Sequence, residues 1–236
     1  MQQLAFGRSL DHLDPDHLPL QHGRMQAPAT PFSLGECVES AWTSFKQNMG
    51  DYVLAQFVLL VPYLVVSGAL SASRRLSIAS LSVLLPSLLW TCSMSIARAG
   101  LRNGKPKIDD AFRPLTERQG DYVMVCLAMS AGTLACGIGV IVSWFICLFA
   151  APLALDGRDF KQAVVESKDL VFAYPGEVAL LGIVAWAFVV GGFLACGIGI
   201  LFGMPLACLT VIKGFEQLNA RVALEPPQAQ VPPAPY

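Results

Sequence analysis

The sequence predicts an all-α protein: a polytopic transmembrane helical bundle of about six spans, built as three parallel repeats of an amphipathic helix plus a helical hairpin. Three observations lead there. Hydrophobic residues make up 54% of the 236-residue chain and charged residues 14%, with a mean hydropathy of +0.55, whereas a soluble domain carries about 25% charged residues. The charges are segregated, so that 52–73, 76–97, 122–155 and 178–212 contain no Asp, Glu, Lys or Arg. The hexapeptide Leu-Ala-Cys-Gly-Ile-Gly occurs twice, at 134–139 and 194–199, near the middle of the last two charge-free blocks.

Residues 1–31 are polar and broken by proline, with no apolar core of a secretory signal, and read as a disordered cytoplasmic tail. His12, His17 and His22 recur there among Asp11, Asp14 and Asp16, a spacing unlike structural zinc sites, so no metal is expected. Ser33 with Glu36 forms a capping pair, and Leu34, Val38, Ala41, Trp42 and Phe45 follow at helical spacing, which predicts an interfacial helix. Two runs of 19 and 22 residues, 52–70 with Pro62 and 76–97 with Pro86, are each long enough to cross a core of about 30 Å.

The second unit is shorter. Ile108, Ala111 and Leu115 keep a helical register within 106–123, and the 34-residue block 122–155 is too long for one span and short for two, which take about 40. Glycines near its centre predict two short spans joined by a turn. In the third unit 159–177 aligns without gaps on 33–51, placing Asp159 over Ser33, Phe160 over Leu34, Val164 over Val38 and Val171 over Phe45. Asp159 and Gln162 repeat the capping pair, and 178–212 supplies the last hairpin. The expected domains are the tail 1–31, a membrane domain 32–220 with repeats at about 32–97, 106–155 and 157–214, and a Pro-rich cytoplasmic tail 221–236.

Orientation follows from charge. Of 16 Lys and Arg, 14 fall in 1–50, 98–121, 156–177 and 213–236, leaving Arg74 and Arg75 on the other side, so both termini are expected in the cytoplasm. Two spans per unit make the repeats parallel, related by an axis along the membrane normal. The net charge of −1 gives no support to a nucleic-acid partner. The seven cysteines lie mostly in apolar runs and read as buried free thiols.

Catalytic apparatus is not visible. The chain has no HExxH, no GxSxG and no phosphate loop, and its histidines are confined to the first tail; no enzyme activity, cofactor or metal is expected. The charge-free spans carry no ionisable group except cysteines and Tyr52, Tyr63 and Tyr122, which argues against a proton-coupled pump. Gln56, with Ser87 and Thr91, forms the candidate polar pathway, interhelical hydrogen bonding being the competing reading. Leu34, Val38, Trp42, Phe45, Phe160, Val164 and Val171 are the candidate membrane-interface residues. Gly199 and Gly203 form a GxxxG spacing in the last span.

Phe32-Ser33-Leu34, Ala41-Trp42, Phe45-Lys46-Gln47-Asn48, Asp159-Phe160 with Ala163 and Ser167, and Pro205 after a glycine turn carry a resemblance. Across about 32–220 the chain resembles bacterial six-helix integral membrane families of unknown function, and is similar to the membrane domain of some glycerophosphodiester phosphodiesterases, without their catalytic domain. The resemblance implies a multi-pass protein of the bacterial inner membrane and no active-site residue. The expected function is a non-catalytic scaffold or accessory subunit that meets membrane lipids, and a protein partner through its tails or amphipathic helices. The alternative is a passive transporter or lipid-handling protein.

Overall fold

In a hydrocarbon environment backbone groups must find partners within their own segment, which favours helices in every apolar run. The computed structural model describes residues 32–72, 76–117, 119–134, 138–195 and 198–224, and among these it contains ten helices and no strand. They are α1 (Leu34–Gln47), α2 (Met49–Ala72), α3 (Leu76–Asn103), α4 (Ile108–Glu117), α5 (Gln119–Leu134), α6 (Ile138–Ile146), α7 (Ala150–Leu155), α8 (Phe160–Ala173), α9 (Pro175–Leu194) and α10 (Ile200–Leu224). The order is a short helix followed by a packed pair, three times: α1 before α2 and α3, α4 before α5 and α6, α8 before α9 and α10. The two hexapeptides bridge α5 to α6 and α9 to α10, although 135–137 and 196–197, with Cys136 and Cys196, lie outside the described residues. So do the expected tail 1–31 with its three histidines, residues 225–236 of the expected second tail, and Arg74 with Arg75. Helix α10 continues to Leu224, past the expected boundary at 220.

The first and third units match closely. Helices α1 and α8 both have 14 residues, and both end where the backbone breaks at equivalent positions, Asn48 and Tyr174, each with φ of −131°. Their inward residues also correspond, Cys37 with Ala163 and Ala41 with Ser167. The caps differ. Ser33 Oγ accepts from Glu36 N at 3.3 Å as expected, whereas Asp159 makes no side-chain cap bond. Instead Phe160 N donates to Asp121 Oδ1 of α5 at 3.2 Å, a tertiary partner satisfying the helix start.

Three described helices are long and apolar enough to cross a membrane, within Met49–Leu70, Pro175–Leu194 and Ile200–Ala223. In the middle unit α5 has 16 residues, or about 24 Å, and α6 only 9, or about 14 Å. The second limb breaks at 147–149, because Pro152 has no N–H to give and its ring opposes the carbonyl four residues before it; the proline is tolerated in the first turn of α7. Ser167 Oγ of α8 donates to the Ile146 carbonyl at this break.

Helices α3 and α10 form the centre, packing on each other, with α1, α2 and α9 against α10 and α2, α4, α5 and α7 against α3. Burial separates inner from outer spans: two thirds (67%) of the apolar window of α10 is enclosed, against 17% in α2 and 22% in α9. Each short helix packs on the unit before it, α4 on α3 and α8 on α7, while α1 closes the circle by packing on α10. Ser33 N donates to Gln217 Oε1 at 3.3 Å across that closure.

Those contacts enclose much of the apolar stripe that was expected at the membrane interface. Phe45 is enclosed, stacked on Tyr52 at 5.9 Å and meeting the edge of Phe202 at 6.2 Å. Leu34, Phe160, Val164 and Val171 are partly buried against the same core, and Val38 is half-buried. Only Trp42 is turned outward, 45% exposed, with Lys46 Nζ 5.4 Å from its ring centroid. The reason is that a stripe of this kind seeks any apolar contact, and the neighbouring unit supplies it.

Candidate functional site

Most of the described charge network gathers at one end of the bundle, where α3, α7 and α10 leave their apolar runs. Helix α3 carries Arg98 and Arg102 one turn apart, so both guanidiniums point along one face. Helix α7 ends at Leu155, and Asp156 follows as its C-cap, with Gly157 at φ +92° turning the chain away towards α8. Arg98 Nη2 donates to both carboxylate oxygens of Asp156, at 2.5 and 2.6 Å, and Arg102 Nη2 donates to Oδ1 at 2.5 Å. From the third unit Glu216 Oε1 lies 3.5 Å from Arg98 Nη1, and the Phe215 ring faces the guanidinium at 5.8 Å. One arginine thus ties the ends of all three units together. Arg98 is only 9% exposed, and such burial of a charge requires a close, doubly bonded partner.

Beside this cluster lies a cavity of about 440 Å³ between α3, α4, α5 and α7, lined by Arg98, Arg102, Asp110, Arg113, Tyr122 and Asp156 among others. The Asp110 carboxylate is turned to its own helix start, accepting from Lys107 N at 3.1 Å, and its carbonyl accepts from Ser95 Oγ. Two buried donors remain without a partner, the Tyr122 hydroxyl and Arg98 Nε. Both belong to residues that line the cavity.

The residues singled out for a polar pathway are elsewhere and are not gathered into one channel. Gln56 Oε1 accepts from Ser93 Oγ at 2.9 Å, joining α2 to α3, while its Nε2 is buried without a partner. Ser87 and Ser130 hydroxyls lie 3.0 Å apart, and Thr91 Oγ1 donates to the Leu88 carbonyl and meets Cys126 Sγ at 3.4 Å, joining α3 to α5. Ser143 Oγ donates to the Ala128 carbonyl at 2.9 Å between α6 and α5. Interhelical bonding accounts for all of these.

Sequence reading did not single out Arg98, Asp156, Glu216 or the cavity. A signal was present: Arg98 follows an apolar run of 22 residues directly, and Asp156 directly follows the next block. Among the described residues no group of three or more His, Cys, Asp or Glu is placed to hold a metal ion, and Cys37, Cys92, Cys126, Cys147 and Cys208 are buried free thiols. No protein family, curated protein or solved structure matches the chain at a significant level.

Proposed function

We propose that the chain is a non-catalytic, multi-pass protein of the bacterial inner membrane, a scaffold or accessory subunit whose three units run parallel with the charged end and both termini in the cytoplasm. The observation that carries this reading is the use of polar groups at depth. Gln56, Ser87, Thr91 and Ser143 are spent on helix–helix contacts, and 52–72 and 178–194 contain no Asp, Glu, Lys, Arg or His. The outer faces of α2 and α9 present Phe57, Leu64, Ile183, Trp186 and Phe193, side chains suited to lipid. Passive transport along Gln56, Ser87 and Thr91 is the weaker alternative, since each of the three already meets a polar side chain of a neighbouring helix.

The short helices retain an outward aromatic each, Trp42 on α1, Phe112 on α4 and Phe172 on α8. Such rings anchor at headgroup level and offer a partner large, rigid contacts. The test is purification of the tagged protein from its native membrane in lipid nanodiscs, with mass spectrometry of the co-purifying proteins. A stoichiometric protein partner, lost in Trp42→Asp or Phe172→Asp, is expected. No partner, together with solute flux in proteoliposomes that Gln56→Leu abolishes, would replace the scaffold reading by transport.

A further inference from the structure

The cavity at the charged end lies beside the ion pairs that join the helix ends, and its lining has a definite chemistry. Three guanidiniums, those of Arg98, Arg102 and Arg113, line it together with the carboxylates of Asp110 and Asp156; Asp110 is occupied by a backbone N–H, and Glu216 also reaches Arg98. Asp156 alone accepts from both Arg98 and Arg102. Asp156 thus takes three of the roughly four hydrogen bonds a carboxylate accepts, while Arg98 Nε stays buried without a partner. Tyr122 adds a hydroxyl that is 3% exposed, lines the cavity and has no hydrogen-bond partner. Buried donors of this kind are costly unless an acceptor is supplied.

We propose that this cavity is a binding site for a phosphate group, carried by an anionic lipid headgroup or by a small soluble phosphate ester. Arginine forks match the oxygens of such a group in pairs, and a tetrahedral oxyanion supplies the several acceptors that a planar carboxylate cannot. The volume of about 440 Å³ suits a headgroup-sized ligand. Arg102 and Arg113 stand at the exposed rim, Arg98 and the Tyr122 hydroxyl at the enclosed side, so a phosphate entering past the first pair meets the second. The location at the ends of apolar helices also places the cavity where headgroups lie. The proposal assigns a ligand class to a place that the scaffold reading leaves unused.

The test uses the full chain, stripped of lipid in dodecyl maltoside, which carries no phosphate. One arm adds phosphatidylglycerol and reads retained lipid by native mass spectrometry; the other titrates glycerol 3-phosphate by calorimetry. Retention of the lipid alone identifies a headgroup site, and binding of glycerol 3-phosphate identifies a soluble ester. In either arm Arg102→Ala and Arg113→Ala should each weaken binding about tenfold, the worth of one charge-assisted contact. Arg158→Ala, whose guanidinium pairs with Glu166 away from the cavity, should leave it unchanged. Tyr122→Phe separates binding from folding: removing an unpartnered hydroxyl should keep or raise the unfolding temperature while lowering affinity several-fold, about three to ten times. Binding in neither arm, or binding that Arg102→Ala, Arg113→Ala and Tyr122→Phe all leave intact, would overturn the proposal.

Discussion

Arg98 joins Asp156 of the second unit and Glu216 of the third, with its side chain 11% exposed, so its loss strands a carboxylate that was bonded on both oxygens. Removing one member of an enclosed pair costs about 3–5 kcal/mol. The Asp156 side chain is 26% exposed and keeps Arg102, so Arg98→Ala should cost less, about 2 kcal/mol, in unfolding from detergent. Glu216→Gln should cost less, because that contact is longer, at 3.5 Å, and the Glu216 side chain is 44% exposed. Cys37 on α1 offers a different test. Burial, with the Glu36 charge adding to it, pushes its thiol up to about 11, so the folded protein disfavours the thiolate. Because the folded value lies above the ordinary one near 9.0, the linked stability is complete below about pH 9 and lost as pH rises towards about 11. The unfolding midpoint should therefore fall across that interval, and Cys37→Ala should flatten the fall.

At the level of elements, α9 and α10 pack through glycine. A Cβ at Gly203 would run into the Phe188 carbonyl, and one at Gly199 would lie 2.5 Å from the Gly192 carbonyl, so the GxxxG spacing marks a true close approach. Gly203→Ala should push the helices apart at a cost of about 1–3 kcal/mol, measured by thermal unfolding in detergent. Gly191→Ala, with nothing within 4 Å, should be tolerated. The same spacing was visible in the sequence, but which helix would meet it was not. The short helices teach the converse: the stripe on α1 was legible to the residue, yet the protein core that most of it packs on was not. Phe45 lies in the protein core and Trp42 outside it, because hydrophobic periodicity reports the direction away from water and not what occupies it.

For the whole molecule, the closure of α1 onto α10 brings residues 184 positions apart into contact at Ser33 and Gln217. A Ser33→Cys, Gln217→Cys pair should therefore cross-link under mild oxidation in membranes. After proteolysis between α3 and α4 the fragments should stay joined until a reductant is added. Separation of the fragments without reductant would mean that the circle of units is open. Non-local contacts of this kind link units that adjacent-helix packing alone would leave as a row.

Helix type, the 14-residue match of α1 with α8 and the Ser33 cap were all readable from residue order, since periodicity, run length and capping are local properties. The break before α7 was half-readable: Pro152 announced it, but the Ser167 hydroxyl that satisfies the freed Ile146 carbonyl comes from another helix. The charged end left only a faint signal, because Arg98 and Asp156 are 58 residues apart and each alone resembles an ordinary charge at the end of an apolar run. Only packing three units around α3 and α10 brings those ends together, and low dielectric then turns isolated charges into a donor-lined cavity.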